Sequence, residues 1–263
     1  MIKYLLDGVS FHAKLRELRS NIDSTAMYID FSNEEDIECY VNGLDTVNVD
    51  SSYDGSIKAS ITDDGKRVYV YSNYDIGCKN AQQMFSGMGV LCHVNFDNFD
   101  ASECSNMRRM FYSCASLGYI DLECISTPKL TDCTEMFSGC SSCYSINIKS
   151  MTVDGVVASD NMFNGTKSLR LLSFGDKFTY KPSMGLANPD SSIVKGSNGK
   201  WNMLSNGTSY TAASIPSKSN GTFYAVDVSD EADDDSLVTV GAVREAAKQI
   251  AQAVSKQIRY FSS

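Results

Sequence analysis

The 263-residue sequence predicts an α+β fold whose body is a solenoid of stacked repeats sharing one parallel β-sheet, and three observations carry that prediction. Met-Phe pairs recur at Met84-Phe85, Met110-Phe111, Met136-Phe137 and Met162-Phe163, three successive intervals of 26 residues. A fixed period of about 20 to 50 residues is the mark of repeat architectures. Ten and twelve residues after each Met come two apolar residues straddling a polar one: Val94/Phe96, Ile120/Leu122, Ile146/Ile148 and Leu172/Phe174. That alternation is the signature of a short strand with one buried face, so each repeat contributes one strand. Finally, the segments before and after the repeats lack the period and carry helix and turn signals of their own.

Composition sets the outer limits. With 43% apolar and 21% charged residues the chain is globular, which excludes wholesale disorder. No apolar run is long enough to span a membrane, and Met1-Ile2-Lys3-Tyr4-Leu5-Leu6-Asp7 meets an acid before a signal-peptide core is complete, so neither membrane insertion nor a secretion label is expected. A net charge of −9 argues against nucleic acid, whose affinity for proteins comes largely from Lys and Arg on phosphates. Only two histidines, His12 and His93, are present, which leaves little material for metal sites or acid–base chemistry.

Residues 1–66 read as a small α+β cap or attachment module. Phe11, Leu15, Leu18 and Ile22 fall at 4, 3 and 4 spacing and predict an amphipathic helix, with an apolar strand following at 26–31. Ser32-Asn33-Glu34-Glu35 has the form of a capping box and predicts a second helix, stopped by Gly43. Strands are expected near 45–50, 56–62 and 67–71, the last two joined by Asp63-Asp64-Gly65. Counting one period back from the first Met-Phe unit puts Val68 and Val70 in the strand columns, Cys78 opposite Cys104 and Asn80 opposite Asn106. The repeat body is therefore set at 67–178, with an incomplete cap repeat at its start. Residues 179–228, rich in Gly, Ser and Asn, are expected to form a small β appendage anchored by Trp201, Tyr210, Phe223 and Tyr224. An acidic linker at 229–236 leads to a helix at 237–263. There, Val240, Val243, Ala247, Ile250, Val254 and Phe261 form a heptad-like stripe suited to self-association, with a trimer among the candidate orders.

A period of 26 lies within the range of leucine-rich repeats, which stack one strand per coil. The stretch Asn95-Phe96-Asp97-Asn98-Phe99-Asp100-Ala101-Ser102, followed by Asn106-Met107-Arg108-Arg109-Met110-Phe111 and Met136-Phe137-Ser138-Gly139-Cys140-Ser141-Ser142, resembles the BspA-type leucine-rich repeats of bacterial surface proteins. The third unit departs from that pattern at Lys149-Ser150-Met151 and Val156-Val157. The resemblance implies a non-enzymatic surface or adhesion role with no catalytic residues to carry over. Similar repeats also occur in phage and prophage virion proteins.

Nine cysteines invite a disulfide or zinc reading, and Cys140-Ser141-Ser142-Cys143 has CxxC spacing. The register points instead to thiols stacked in the core, because Cys114 and Cys140 share a column and Cys143 replaces a leucine; Cys39, outside the array, is the natural unpaired thiol. No metal site and no cofactor are expected. Strand alternation places His93, Asn95 and Asp97, then Tyr119, Asp121 and Glu123, then Ser145, Asn147 and Lys149 on the outer sheet face, where stacked repeats commonly meet partners. The Asn-Gly-Thr triplets at Asn164, Asn206 and Asn220 read as turns.

The expected function is thus structural or recognition, not enzymatic. The leading expectation is a phage or prophage virion fibre or decoration protein, with a bacterial cell-surface adhesin as the alternative. Expected partners are a second copy through the C-terminal stripe, other virion or surface proteins, and a host receptor or glycan.

Overall fold

The computed structural model describes residues 4–50, 56–154 and 157–226. The oligomerisation stripe from Val240 to Phe261 lies outside the described residues. The elements are β1 (Tyr4–Asp7), α1 (Gly8–Leu18), β2 (Tyr28–Asn33), α2 (Glu34–Val41), β3 (Thr46–Asn48), β4 (Lys58–Ile61), β5 (Arg67–Ser72), β6 (Ile76–Asn80), β7 (His93–Asn95), β8 (Phe99–Asp100), β9 (Tyr119–Asp121), β10 (Ser145–Ile148), β11 (Leu171–Phe174), β12 (Ser197–Met203), β13 (Ser209–Tyr210) and β14 (Gly221–Val226).

The expected α+β solenoid with one shared parallel sheet is overturned. The described residues form a mostly β molecule with two α-helices and three separate sheets, ordered β1-β6-β8, β3-β4-β5-β2-β7 and β13-β12-β14-β11-β10-β9. Two features break the expected sheet. First, β2 lies between β5 and β7, so Val68 and Val94 share a row only through Ile29. The strand Tyr28-Ile29-Asp30-Phe31 has the same polar–apolar alternation as His93-Val94-Asn95-Phe96 and competes for the same edge. Second, β7 and β9 belong to different sheets, and the sheet containing β9 is parallel only across β9, β10 and β11 before β14 joins it antiparallel.

Opposite the sheets, the Met-Phe segments form a continuous wall. Phe85, Phe111 and Phe137 each donate their backbone N–H to the Met carbonyl of the next unit, at Met110, Met136 and Met162, over 2.9 Å. Two left-handed residues per unit make this possible. One column, Gln83, Arg109, Glu135 and Asn161, has φ of 55 to 57°; the other, Gly87, Ser113, Gly139 and Gly165, has φ of 59 to 80°. With the chain turned at both points, alternate amides aim at the neighbouring unit: Gln83, Phe85 and Gly87 donate to Arg108, Met110 and Tyr112. The rings consequently stack, with centroids 5.3 Å (Phe85–Phe111), 5.8 Å (Phe111–Phe137) and 5.9 Å (Phe137–Phe163) apart. A 3-10 turn at Pro182–Met184 closes the wall by accepting the Asn161 and Phe163 amides at Ser183 and Met184.

At the other end, the N-terminal segment stands in for a preceding unit. The strand β1 pairs with β6, bringing Asp7 beside Asn80 at the head of the bridges Asn80–Asn106, Asn106–Asp132 and Asp132–Ala158. Asp7 then caps α1 by accepting the Ser10 amide at 3.0 Å. The helix sets Phe11 against Phe31 and Phe85 at the start of the ring stack. Gly8 is required for this approach, since a Cβ there would lie 2.5 Å from the Gln82 carbonyl oxygen. The second helix differs from expectation at its start: Ser32 lies within β2, and Asn33 is the N-cap without a side-chain capping bond, so no capping box forms. Gly43, at φ 84°, follows its end. One apolar cluster runs from Leu6 to Ala225 and includes Trp201, whose indole N–H donates to the Ala187 carbonyl at 3.0 Å. Trp201 is thus a core anchor with its face covered.

Asparagine and aspartate recur for a local reason. Asn80, Asn106 and Asp132 each accept the amide two residues on, at 3.1, 2.9 and 2.8 Å, just before each Met-Phe segment. These Asx turns bend the chain from the strand side into the wall.

Candidate functional site on the outer sheet face

In the two larger sheets His93 and Asn95 lie on β7, Tyr119 and Asp121 on β9 and Asn147 on β10, while Asp97, Glu123 and Lys149 follow the strand ends, and their roles divide. Asn95, Asp121 and Asn147 accept the amides of Asp97, Glu123 and Lys149 at 3.0, 2.9 and 3.4 Å, the same Asx turn now ending each strand. Asn95 also donates to the Asp97 carboxylate, and Asn147 to that of Glu123, both at 3.0 Å. Much of the polar ladder is therefore strand-ending chemistry. Lys149 is half-buried where the chain passes Gly175, at which a Cβ would meet the Lys149 carbonyl oxygen at 1.8 Å.

The aromatic and ionic residues form a more specific surface. Arg67, Tyr28 and His93 lie in one row across β5, β2 and β7, and Tyr119, Ser145 and Leu171 form the corresponding row across β9, β10 and β11. The Arg67 guanidinium sits 4.8 Å from the Tyr28 ring centre and 2.5 Å from the Asp30 carboxylate, with the two charged side chains only 16% and 13% exposed. The His93 and Tyr119 rings approach to 5.1 Å across the junction of the two sheets, and Tyr119 lies 6.4 Å from Tyr144. Burial lowers the His93 pKa, disfavouring the imidazolium, and pushes the Tyr119 phenol up to about 12. At neutral pH the junction therefore offers a neutral imidazole and a neutral phenol beside a compensated ion pair. The exposed carboxylates Asp97, Asp121 and Glu123 rim it on one side. On the other, α2 covers the sheet with Ile37 packed on Tyr69 and Tyr71.

Sequence reasoning missed Tyr28, Asp30 and Arg67. The signal was present in the alternation of Tyr28 to Phe31, which copies His93 to Phe96, but α2 and β3 to β6 lie between the two strands and break the 26-residue interval. It also gave no role to His12. That ring is buried, with Nε2 2.6 Å from Asp23 Oδ1 and Nδ1 3.3 Å from the Gln83 carbonyl oxygen. It ties α1 to the left-handed corner of the first repeat and lies away from the outer face.

The nine cysteines are free, and Cys78, Cys104, Cys114, Cys133, Cys140 and Cys143 are buried. Cys114 and Cys140 donate their thiols to the carbonyls of Phe85 and Phe111, each at 3.1 Å, a repeated device within the wall. Among the described residues no group of three or more His, Cys, Asp and Glu side chains could hold a metal ion, and no helix is long and apolar enough to cross a membrane.

The fold and this face define a repeat protein with an open, chemically mixed sheet surface. A family model described as "Mycoplasma protein of unknown function, DUF285" matches residues 72–173, from the end of β5 into β11. That match is compatible with the BspA-type resemblance and covers less than half of the chain. No curated protein and no solved structure matches it.

Proposed function

We propose that this is a non-enzymatic recognition protein of a bacterial surface, meeting its partner through the outer face around Tyr28, Arg67, His93 and Tyr119. The observation that carries the reading is the His93–Tyr119 ring contact at 5.1 Å beside the Tyr28–Arg67 stack at 4.8 Å. Rings held by neighbours and flanked by carboxylates offer stacking area and hydrogen-bond acceptors at little ordering cost. Both histidines serve that reading: His12 is committed to Asp23 and Gln83, and His93 belongs to the face. The match to the repeat region supports the surface-protein form of the proposal. The virion form rests on the unfinished signal-peptide core and on the C-terminal stripe, and the stripe lies outside the described residues.

The test is binding of the purified chain to immobilised glycans and extracellular-matrix glycoproteins, compared with His93→Ala and Tyr119→Ala. A bound species whose affinity falls about tenfold or more in both variants, roughly 1.4 kcal/mol each, supports the assignment. If nothing binds, or if binding ignores both changes and responds to Arg108→Ala on the opposite wall, the assignment is wrong.

A further inference from the structure

We propose that Tyr119 and Asp121 on β9 receive an arginine side chain from a partner protein, seated on the phenol ring and paired with the carboxylate. The inference rests on the recognition reading above and names the chemistry of the partner. It begins with a tripeptide that occurs twice, Tyr28-Ile29-Asp30 in β2 and Tyr119-Ile120-Asp121 in β9. In both copies the isoleucine is buried in the core, so strand alternation turns the tyrosine and the aspartate outward.

The first copy is filled from within the chain. Arg67, the register partner of Tyr28 on β5, holds its guanidinium 4.8 Å from the Tyr28 ring centre and 2.5 Å from Asp30 Oδ2. A planar cation on an aromatic face with a carboxylate at its edge joins cation–π attraction to a charge-assisted hydrogen bond. The second copy has no such cation. On β10 the register neighbour of Tyr119 is Ser145, which is short and uncharged. On the other side the Tyr119 ring meets His93 at 5.1 Å, and burial disfavours the imidazolium there. Tyr119 is half-buried and Asp121 exposed, so the pair is held by the sheet and open to solvent. Asp121 Oδ1 accepts the Glu123 amide at 2.9 Å, and Oδ2 has no partner among the described residues.

The surroundings favour a cation and reject an anion. Asp97, past the end of β7, and Glu123, past the end of β9, join Asp121 around Cys124, whose thiol is pushed up by burial and by these three carboxylates. None of the three forms an ion pair among the described residues, and neither does Lys149, just past the end of β10. A phosphate, sulfate or carboxylate brought to this edge meets like charge. Arginine fits better than lysine. Its flat guanidinium can lie on the phenol while its N–H edge reaches the carboxylate, as Arg67 does, whereas an ammonium is a compact, strongly hydrated point charge.

The experiment titrates the full chain with a labelled peptide of alternating arginine and glycine, with its lysine–glycine counterpart, and with an oligomer of N-acetylglucosamine. Anisotropy reads the peptides and calorimetry the sugar. The arginine peptide should bind more tightly than the lysine peptide and lose about fivefold or more in affinity in Asp121→Asn and in Tyr119→Leu. Tyr119→Phe keeps the ring and should stay within about twofold of the parent. Asp160→Asn removes the same charge from an exposed site at the Met-Phe wall and should also change affinity by less than about twofold. Asparagine at position 121 can still accept the Glu123 amide, so Asp121→Asn preserves the turn and decides alone should Tyr119→Leu not fold. The proposal is overturned if the lysine peptide binds as tightly, if Asp121→Asn and Asp160→Asn weaken binding equally, or if folded Tyr119→Leu binds like the parent. Sugar binding that is lost in His93→Ala and Tyr119→Ala, without arginine binding, ends this proposal and leaves the recognition reading standing. No binding by any of the probes ends both.

Discussion

Replacing Phe137 by alanine probes the wall at its centre. The ring is fully buried and stacks between Phe111 at 5.8 Å and Phe163 at 5.9 Å, each with an interplanar angle of 17°. Deleting a buried phenylalanine costs about 3–5 kcal/mol, combining lost transfer free energy with the cavity left behind. Two ring pairs disappear together, each worth about 0.5–1.5 kcal/mol beyond burial. The backbone around the gap is pinned by the Phe137 amide on the Met162 carbonyl and by the Phe111 amide on the Met136 carbonyl, so the cavity cannot close cheaply. The upper half of the range, about 4–5 kcal/mol, is therefore expected, a large share of the roughly 5–15 kcal/mol that holds a typical domain folded. Urea unfolding followed by circular dichroism and by Trp201 fluorescence measures it. Because Trp201 belongs to the same apolar cluster, both probes should shift together at unchanged slope. A loss under about 1.5 kcal/mol, which is what a tolerated apolar swap costs, would refute the shared wall. So would a Trp201 transition that stays in place.

Two further predictions concern particular residues. Gly139 has φ of 80°, and a Cβ there would stand 3.1 Å from Ser113 Oγ and 3.3 Å from Ser113 Cα, so Gly139→Ala should cost at least the roughly 1–2 kcal/mol of a left-handed L-residue. Ser113→Gly, in the same column at φ 59°, should instead stabilise by a few tenths to about 1 kcal/mol; equal losses from both changes in urea titrations would contradict the geometry. Burial alone would raise the Asp23 pKa, but hydrogen bonds from His12 and Arg16 outweigh it and hold the carboxyl below its usual value. A depressed folded pKa contributes stability that is present above the unfolded value near 3.8 and is lost as pH falls through the folded one. Asp23→Asn should therefore flatten the dependence of the urea midpoint on pH below about 4, and an unchanged acid limb would rule out this role.

The sequence by itself determined what is local and periodic. The 26-residue interval places Met84, Met110, Met136 and Met162 and their phenylalanines in one wall, because residues at equal positions in stacked units meet the same neighbours. It likewise aligned Asn80 with Asn106, and strand alternation grouped His93, Asn95, Asp97, Tyr119, Asp121, Glu123, Asn147 and Lys149 as outward-facing, although β7 and β9 belong to different sheets. It did not separate the residues that end strands from those free to face a partner, since an Asx turn and a recognition group look alike as letters. Only the tertiary structure decided the order of strands. Alternation specifies which side of a strand is buried, yet every strand edge offers the same amides and carbonyls, so nothing local marks β2 to enter between β5 and β7 or parts β7 from β9. That choice made three sheets out of one expected sheet, and it brought Tyr28, Asp30 and Arg67 beside His93.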